Sequence, residues 1–262
     1  MPREPSLAHP RAKLTRAGEH LDELYKDLTA YSERDPHTLG VNGEIDHGWK
    51  LLRFGVKEEP PIRLGLLLGD FVHNLRSALD NLVCQLAYLG GATSCETTQF
   101  PICDSPERFA GAVNRGRLAG ASGEHIAMIE RFQPYHGQHM THLALLAVRD
   151  FDNIDKHQAI HATLAALDPR PEAVSAKRDR LDTEFTMEVR YIAVGKPLYD
   201  GAVVAYVRAR ASEPQPRMNM EIELPIRVGF GEVGLASDKL PLVWKGIELI
   251  IESFAPVFEG LV

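Results

Sequence analysis

From Leu14 the apolar residues fall at Leu14, Ala17, Leu21, Leu24, Leu28 and Tyr31. This alternation of threes and fours predicts one long amphipathic helix. It should end near Asp35-Pro36, because proline disfavours helix at the residue before it. Trp49–Val56 carries Leu52, Phe54 and Val56 at every second position and predicts a short strand. Pro60-Pro61 opens a second long helix, stopped after Leu89 by Gly90-Gly91. Residues 92–104 read as loop, followed by short helices around Pro106–Val113 and Glu124–Phe132. Pro134 and Gly137 break the chain before a third long helix, placed at roughly His139–Ala166.

The pattern changes after Asp168-Pro169. Phe185, Met187, Val189, Tyr191 and Ala193 alternate with polar neighbours, and Val204, Tyr206 and Arg208 continue the theme. Met218, Met220, Ile222, Leu224, Ile226, Val228 and Phe230 alternate along a further run. Period-two patterning with hairpin-like spacing predicts an antiparallel sheet with one buried face. Asp238 then reads as the cap of a last helix carrying Val243, Ile247, Ile250, Ile251 and Phe254. Helices first and strands later predict an α+β fold: a bundle of long helices, an antiparallel β-sheet and a C-terminal helix. The expected division is a helical bundle over 1–166 with a short strand near 49–56, a sheet over 167–236, and a C-terminal helix over 237–262 packed on the rest as one compact unit.

Composition narrows the function classes. A chain of 262 residues with 44% hydrophobic content can bury a sizeable core. The net charge of −7 provides no global basic surface for nucleic acid, although Arg108–Arg117 and Arg170–Arg180 are locally basic. Cys84, Cys95 and Cys103 form no CxxC pair and read as free thiols in a reducing compartment. The N-terminus lacks the apolar core of a signal peptide, and the apolar stretch Leu64–Leu89 is interrupted by Asp70, His73, Arg76 and Asp80. A cytoplasmic protein with no membrane span is expected. No Walker loop, GxGxxG or GxSxG is present, so no nucleotide cofactor is expected, nor any other cofactor. The row Leu14–Tyr31 is long and apolar enough to pack against a second copy or along the bundle, and a homodimer is expected.

Two segments carry geometry-specific polar residues. In GDFVHNLRSALDNL a helical wheel puts Asp70, His73, Arg76, Ser77 and Asp80 on one face. The face is either the wet side of an amphipathic helix or a site, since its short and planar groups suit fixed hydrogen bonding better than the usual Glu, Lys and Gln. Asp80 lies one turn beyond Arg76, within reach of an ion pair. In RDFDNIDKHQAIH a second face collects Asp150, Asn153, His157 and His161, with Asp152 and Asp155 elsewhere on the wheel. This face reads as a satisfied interior network or as a general acid–base site with His157 as base. A metal reading uses His73, Asp80, Asp150 and His157, but neither HExxH nor ExxH spacing is present, and no metal is assigned. His136, His139 and His142 follow a Pro-Tyr turn and read as a helix entrance.

The order GDFVHNLRSALDNLVCQLA, then Phe100-Pro101-Ile102, then FDNIDKHQ resembles a widespread bacterial protein family with no assigned activity. In that family the position matching Asn81 is often His, giving an Arg, four residues and a His. This spacing resembles the motif of HEPN ribonucleases, helical enzymes of toxin and defence systems that cleave RNA without metal where two active sites meet across a dimer. The resemblance implies that Arg76 steadies a phosphate. It puts Asn81, which cannot act as a base, at the histidine position, so His73 or His157 would have to substitute. Three readings follow: HEPN-like RNA cleavage or RNA binding in defence or regulation; a non-catalytic binding or regulatory protein with a buried polar network; and a metal-dependent hydrolase or oxygenase.

Overall fold

The computed structural model describes residues 4–137, 139–157, 162–166, 176–177, 185–192, 197–211, 221–222, 226–230 and 235–260. The α+β class holds: long helices combine with antiparallel sheet, two of whose strands lie between the first two long helices, and helix returns at the C-terminal end. The helices are α1 (Ala8–Ser32), α2 (Ile62–Leu89), α3 (Pro106–Asn114), α4 (Gly123–Arg131), α5 (Met140–His157), α6 (Leu240–Glu252) and α7 (Ala255–Glu259). The principal strands are β1 (His37–Ile45), β2 (Trp49–Val56), β3 (Ala162–Ala166), β5 (Phe185–Tyr191), β7 (Val203–Ala211) and β9 (Ile226–Phe230). Shorter strands are β4 (Ala176–Lys177), β6 (Pro197–Leu198), β8 (Glu221–Ile222) and β10 (Leu235–Ala236).

Contacts group the chain into two compact units, one of residues 1–25, 65–160 and 238–262, the other of 26–64 and 161–237. In the first unit α2 is the central helix. Its buried residues include Leu68, Phe71, Val72, Leu75, Leu79, Leu82, Val83 and Leu86, which spread over far more than one stripe. A helix apolar on most sides has to be surrounded. Ser105 and Ser122 cap α3 and α4 by accepting from the Arg108 and His125 amides. α5 and α6 pack at Gly246, where a Cβ would stand 2.5 Å from that of Ala144. Trp244 Nε1 donates to the Leu14 carbonyl at 3.0 Å, tying α6 to α1.

In the second unit β1 and β2 form a hairpin through a 3-10 turn at Asp46–Gly48, with His47 and Gly48 at positive φ. The hairpin continues into a four-stranded antiparallel sheet of order β1-β2-β7-β5. A second sheet runs β10-β9-β3-β6, and β4 pairs with β8. Leu52, Phe54, Ala205 and Val207 form the buried side of the first sheet. The Tyr31 hydroxyl donates to the Glu58 carbonyl at 2.8 Å, and Arg34 forks onto the Glu58 carboxylate.

Several expectations need correction. The third long helix stops at His157, and Ala162–Ala166 is strand. Its alanines favour helix, but pairing from Ala162↔Phe230 to Ala166↔Ile226 overrides local propensity. Asp238 is not the cap of the last helix: it lies in a 3-10 turn, α6 begins at Leu240 with Pro241 in its first turn, and Phe254 falls at the break before α7. Cys84 and Cys95 are not free thiols but a disulfide, and Cys103 is the free cysteine. Of the two packings open to the row Leu14–Tyr31, burial within the chain is observed, with Leu14, Ala17, Leu21 and Leu24 buried in the first unit and Leu28 and Tyr31 in the second. Met218, Met220 and Leu224 lie outside the described residues. Among the described residues, no helix is long and apolar enough to cross a membrane.

Candidate functional site

The polar stripe of α2 divides into two environments. Asp70 and His73 are exposed, Ser77 and Asp80 are half-buried, and Arg76 is buried, its side chain 10% exposed. Arg76 forks onto Asp80, with Nε donating to Oδ2 at 3.2 Å and Nη2 to Oδ1 at 2.8 Å. The same Nη2 donates to the Phe100 carbonyl at 2.7 Å, and the Phe100 amide donates back to Asp80 Oδ1 at 2.8 Å. One ion pair on the helix thus satisfies both backbone groups of a buried loop residue. Elsewhere in α2, Asn81 donates from Nδ2 to the Ser77 carbonyl at 2.8 Å, an ordinary contact within the helix.

The loop is held from its other side by Gln133, which is fully buried. Its Nε2 donates to the Pro101 and Ile129 carbonyls at 2.9 and 3.2 Å, and its Oε1 accepts from the Cys103 amide at 2.8 Å. Upstream, the Cys84–Cys95 bond fastens the start of the loop to α2, and the Tyr88 hydroxyl lies 3.5 Å from Cys95 Sγ. Buried backbone groups must find partners. Here two side chains that pattern analysis treats as chemistry, and one that it passes over, supply them.

α5 meets α2 beside this network. At Gly69 a Cβ would stand 2.5 Å from Asp155 Oδ1, the tip of a side chain from α5. Asp152 is buried and raises the Asp80 carboxyl electrostatically. Burial is the larger push on Asp80, and together they raise it from its ordinary value against the opposing pull of Arg76 and the Phe100 amide. The inward acid of α5 is therefore Asp152, one position before Asn153, which is exposed. Asp150 is half-buried and paired with Arg149 Nε at 2.9 Å. The backbone of α5 reaches His157, whose side chain, like all of His161, lies outside the described residues.

Comparison with protein-family models, curated proteins and solved structures found no match. The chemistry of the site therefore rests on its own geometry. Arg76 and Asp80 come together, with the buried Asp152 near enough to act on Asp80 electrostatically, whereas His73 and Asn153 face outward. Among the described residues, no group of three or more His, Cys, Asp or Glu side chains is placed to hold a metal ion. His139 and His142 pack edge to face at 5.8 Å just before and within the first turn of α5, with His142 Nδ1 3.0 Å from the Gly137 carbonyl. They serve the helix entrance.

Gln133 was missed because nothing in its spacing marks it: a lone glutamine before Pro134 reads as loop. Asp152 lies off the wheel face shared by Asp150, Asn153 and His157, so that face does not point to it. Its neighbour Phe151, buried on the same helix, is the signal that this side of α5 turns inward.

Proposed function

We propose that this is a non-catalytic binding or regulatory protein in which the polar residues of α2 and α5 are architecture. One observation carries the reading: the bidentate edge of Arg76 is taken up by Asp80 and the Phe100 carbonyl. A guanidinium that grips a phosphate in catalysis needs that planar fork open to the ligand. Here the fork is buried and partnered, and Asn81, which stands where the HEPN motif has its base, is bonded to its own helix. The polar network has the form of an interior clamp, whose members are costly to remove and have little left to offer a substrate.

The test is an RNA-cleavage panel with wild type, Arg76→Ala and His157→Ala, in EDTA and with added Mn²⁺ or Zn²⁺, alongside melting curves. We expect no turnover in any condition, and early melting of Arg76→Ala. Cleavage that survives EDTA and is lost in both variants at unchanged stability favours the HEPN-like reading instead. Cleavage that appears only with metal favours a metal-dependent hydrolase.

A further inference from the structure

The sheet of the second unit carries a separate chemistry. Side chains alternate across a strand, and directly opposed residues of an antiparallel pair share a face. The pairs Leu52↔Ala205 and Val189↔Val207 define the buried face. The pairs Leu51↔Tyr206, Arg190↔Tyr206 and Glu188↔Arg208 define the other, and Trp49 joins it two residues before Leu51. On this second face Trp49, Leu51, Tyr206 and Arg208 are half-buried, and Arg190 is exposed. The guanidinium carbons of Arg190 and Arg208 each lie 4.6 Å from the Trp49 ring centroid. Arg208 also pairs with Glu188, whereas Arg190 has no carboxylate partner among the described residues.

We propose that this sheet face binds single-stranded nucleic acid, with bases stacking on Tyr206 and on the guanidinium–indole stack and a phosphate paired by Arg190. The proposal rests on the reading of the protein as a non-catalytic binder.

Charge and shape both point to this occupant. The chain is acidic at −7, yet among the described residues this face holds two arginines against one glutamate, and the exposed arginine is the one without an acid. A face turned only to water would carry extended polar chains. This one carries a phenol and a guanidinium–indole stack, planar surfaces on which a base can lie. A three-stranded width of sheet accommodates about two or three bases, as in other sheet platforms for RNA. Duplexes hide their base faces and offer only phosphates. Acidic peptides also offer anions, but nothing for the planar groups to stack on.

The experiment is fluorescence anisotropy of the full chain with a labelled 12-nucleotide single strand, in EDTA at low salt, against a duplex of matching sequence. Micromolar binding of the single strand is expected, about tenfold or more tighter than the duplex. The salt slope should be shallow, about −1 to −2, for one or two phosphate contacts. Arg190→Ala should weaken binding about tenfold with at most a small fall in melting temperature, because the residue is exposed and loses only its contact with the Trp49 ring. Arg190→Lys, which keeps the charge without the plane, should recover only part of the loss. Absence of binding at about 100 µM protein overturns the proposal, since non-specific nucleic-acid affinity alone reaches that range. So does equal binding of duplex, equal displacement by polyglutamate, or an Arg190→Ala variant that binds like wild type. Each of these leaves the non-catalytic reading standing. Conversely, cleavage of the bound strand on a gel refutes that reading without touching the sheet face.

Discussion

Replacing Asp80 by alanine should be among the most damaging single changes in the helical unit. It removes both acceptors of the Arg76 fork and the acceptor of the Phe100 amide. Breaking a fully buried ion pair costs about 3–5 kcal/mol, because the surviving charge is left without a partner. Arg76 is 10% exposed but the Asp80 side chain is 32% exposed, so some water reaches the vacated space. The lower end, about 3 kcal/mol, is therefore expected, equivalent to a fall of about 6–12 °C in melting temperature for a chain of this size. The assay is denaturant unfolding at neutral pH. Arg76→Met should cost less, about 1–2 kcal/mol, since the half-buried carboxylate it leaves behind can hydrate. Combining Arg76→Met with Asp80→Leu should recover much of the Asp80→Ala loss, because no charge remains buried. A loss below about 0.5 kcal/mol for Asp80→Ala is the range of surface substitutions and would refute the clamp.

Three further outcomes follow from other parts of the structure. Gly246→Ala should destabilise by about 1–3 kcal/mol, because its Cβ would meet that of Ala144 at 2.5 Å with the Met140 carbonyl also close; unchanged urea unfolding would contradict the α5–α6 packing. Cys84→Ser should cost about 3 kcal/mol through the lost 11-residue closure, and non-reducing peptide mapping should recover Cys84 and Cys95 on one linked fragment. Burial holds the His37 imidazole below its ordinary value of 6.5. The unfolded chain therefore takes the proton first, and stability should fall as pH drops through 6.5. His37→Phe should shrink the drop in melting temperature between neutral and mildly acidic pH, and an equal drop in both proteins would remove His37 as its cause.

The long helices were legible because burial imposes a 3.6-residue rhythm that survives in the sequence: α1 and α2 fall where Leu14–Tyr31 and the Pro60–Gly91 punctuation put them. β2 was legible for the same reason with period two. β1 was not, since Gly40, Asn42 and Gly43 interrupt its alternation and only pairing with β2 makes it a strand. β3 was hidden behind a helix-favouring alanine composition. The ion pair Arg76–Asp80 could be read from its spacing of four, but not its purpose, because the partner is the backbone of Phe100, twenty residues downstream of Asp80. Likewise the disulfide joins a helix to a loop, and no rule on cysteine spacing selects that pair from three thiols. Trp49, Arg190 and Arg208 converge only through the β2-β7-β5 order, which a sequence pattern does not contain.

The central claim is that Arg76 and Asp80 exist to hold the loop at Phe100. Amide hydrogen exchange at Phe100 and Cys103 measures this directly, because the first amide donates to Asp80 and the second to Gln133. The clamp predicts strong protection of both amides in the wild type. In Asp80→Asn it predicts a large loss of protection at Phe100 and a smaller one at Cys103. Exchange at Phe100 in the wild type as fast as in an open loop, or protection untouched by the substitution, would contradict the account.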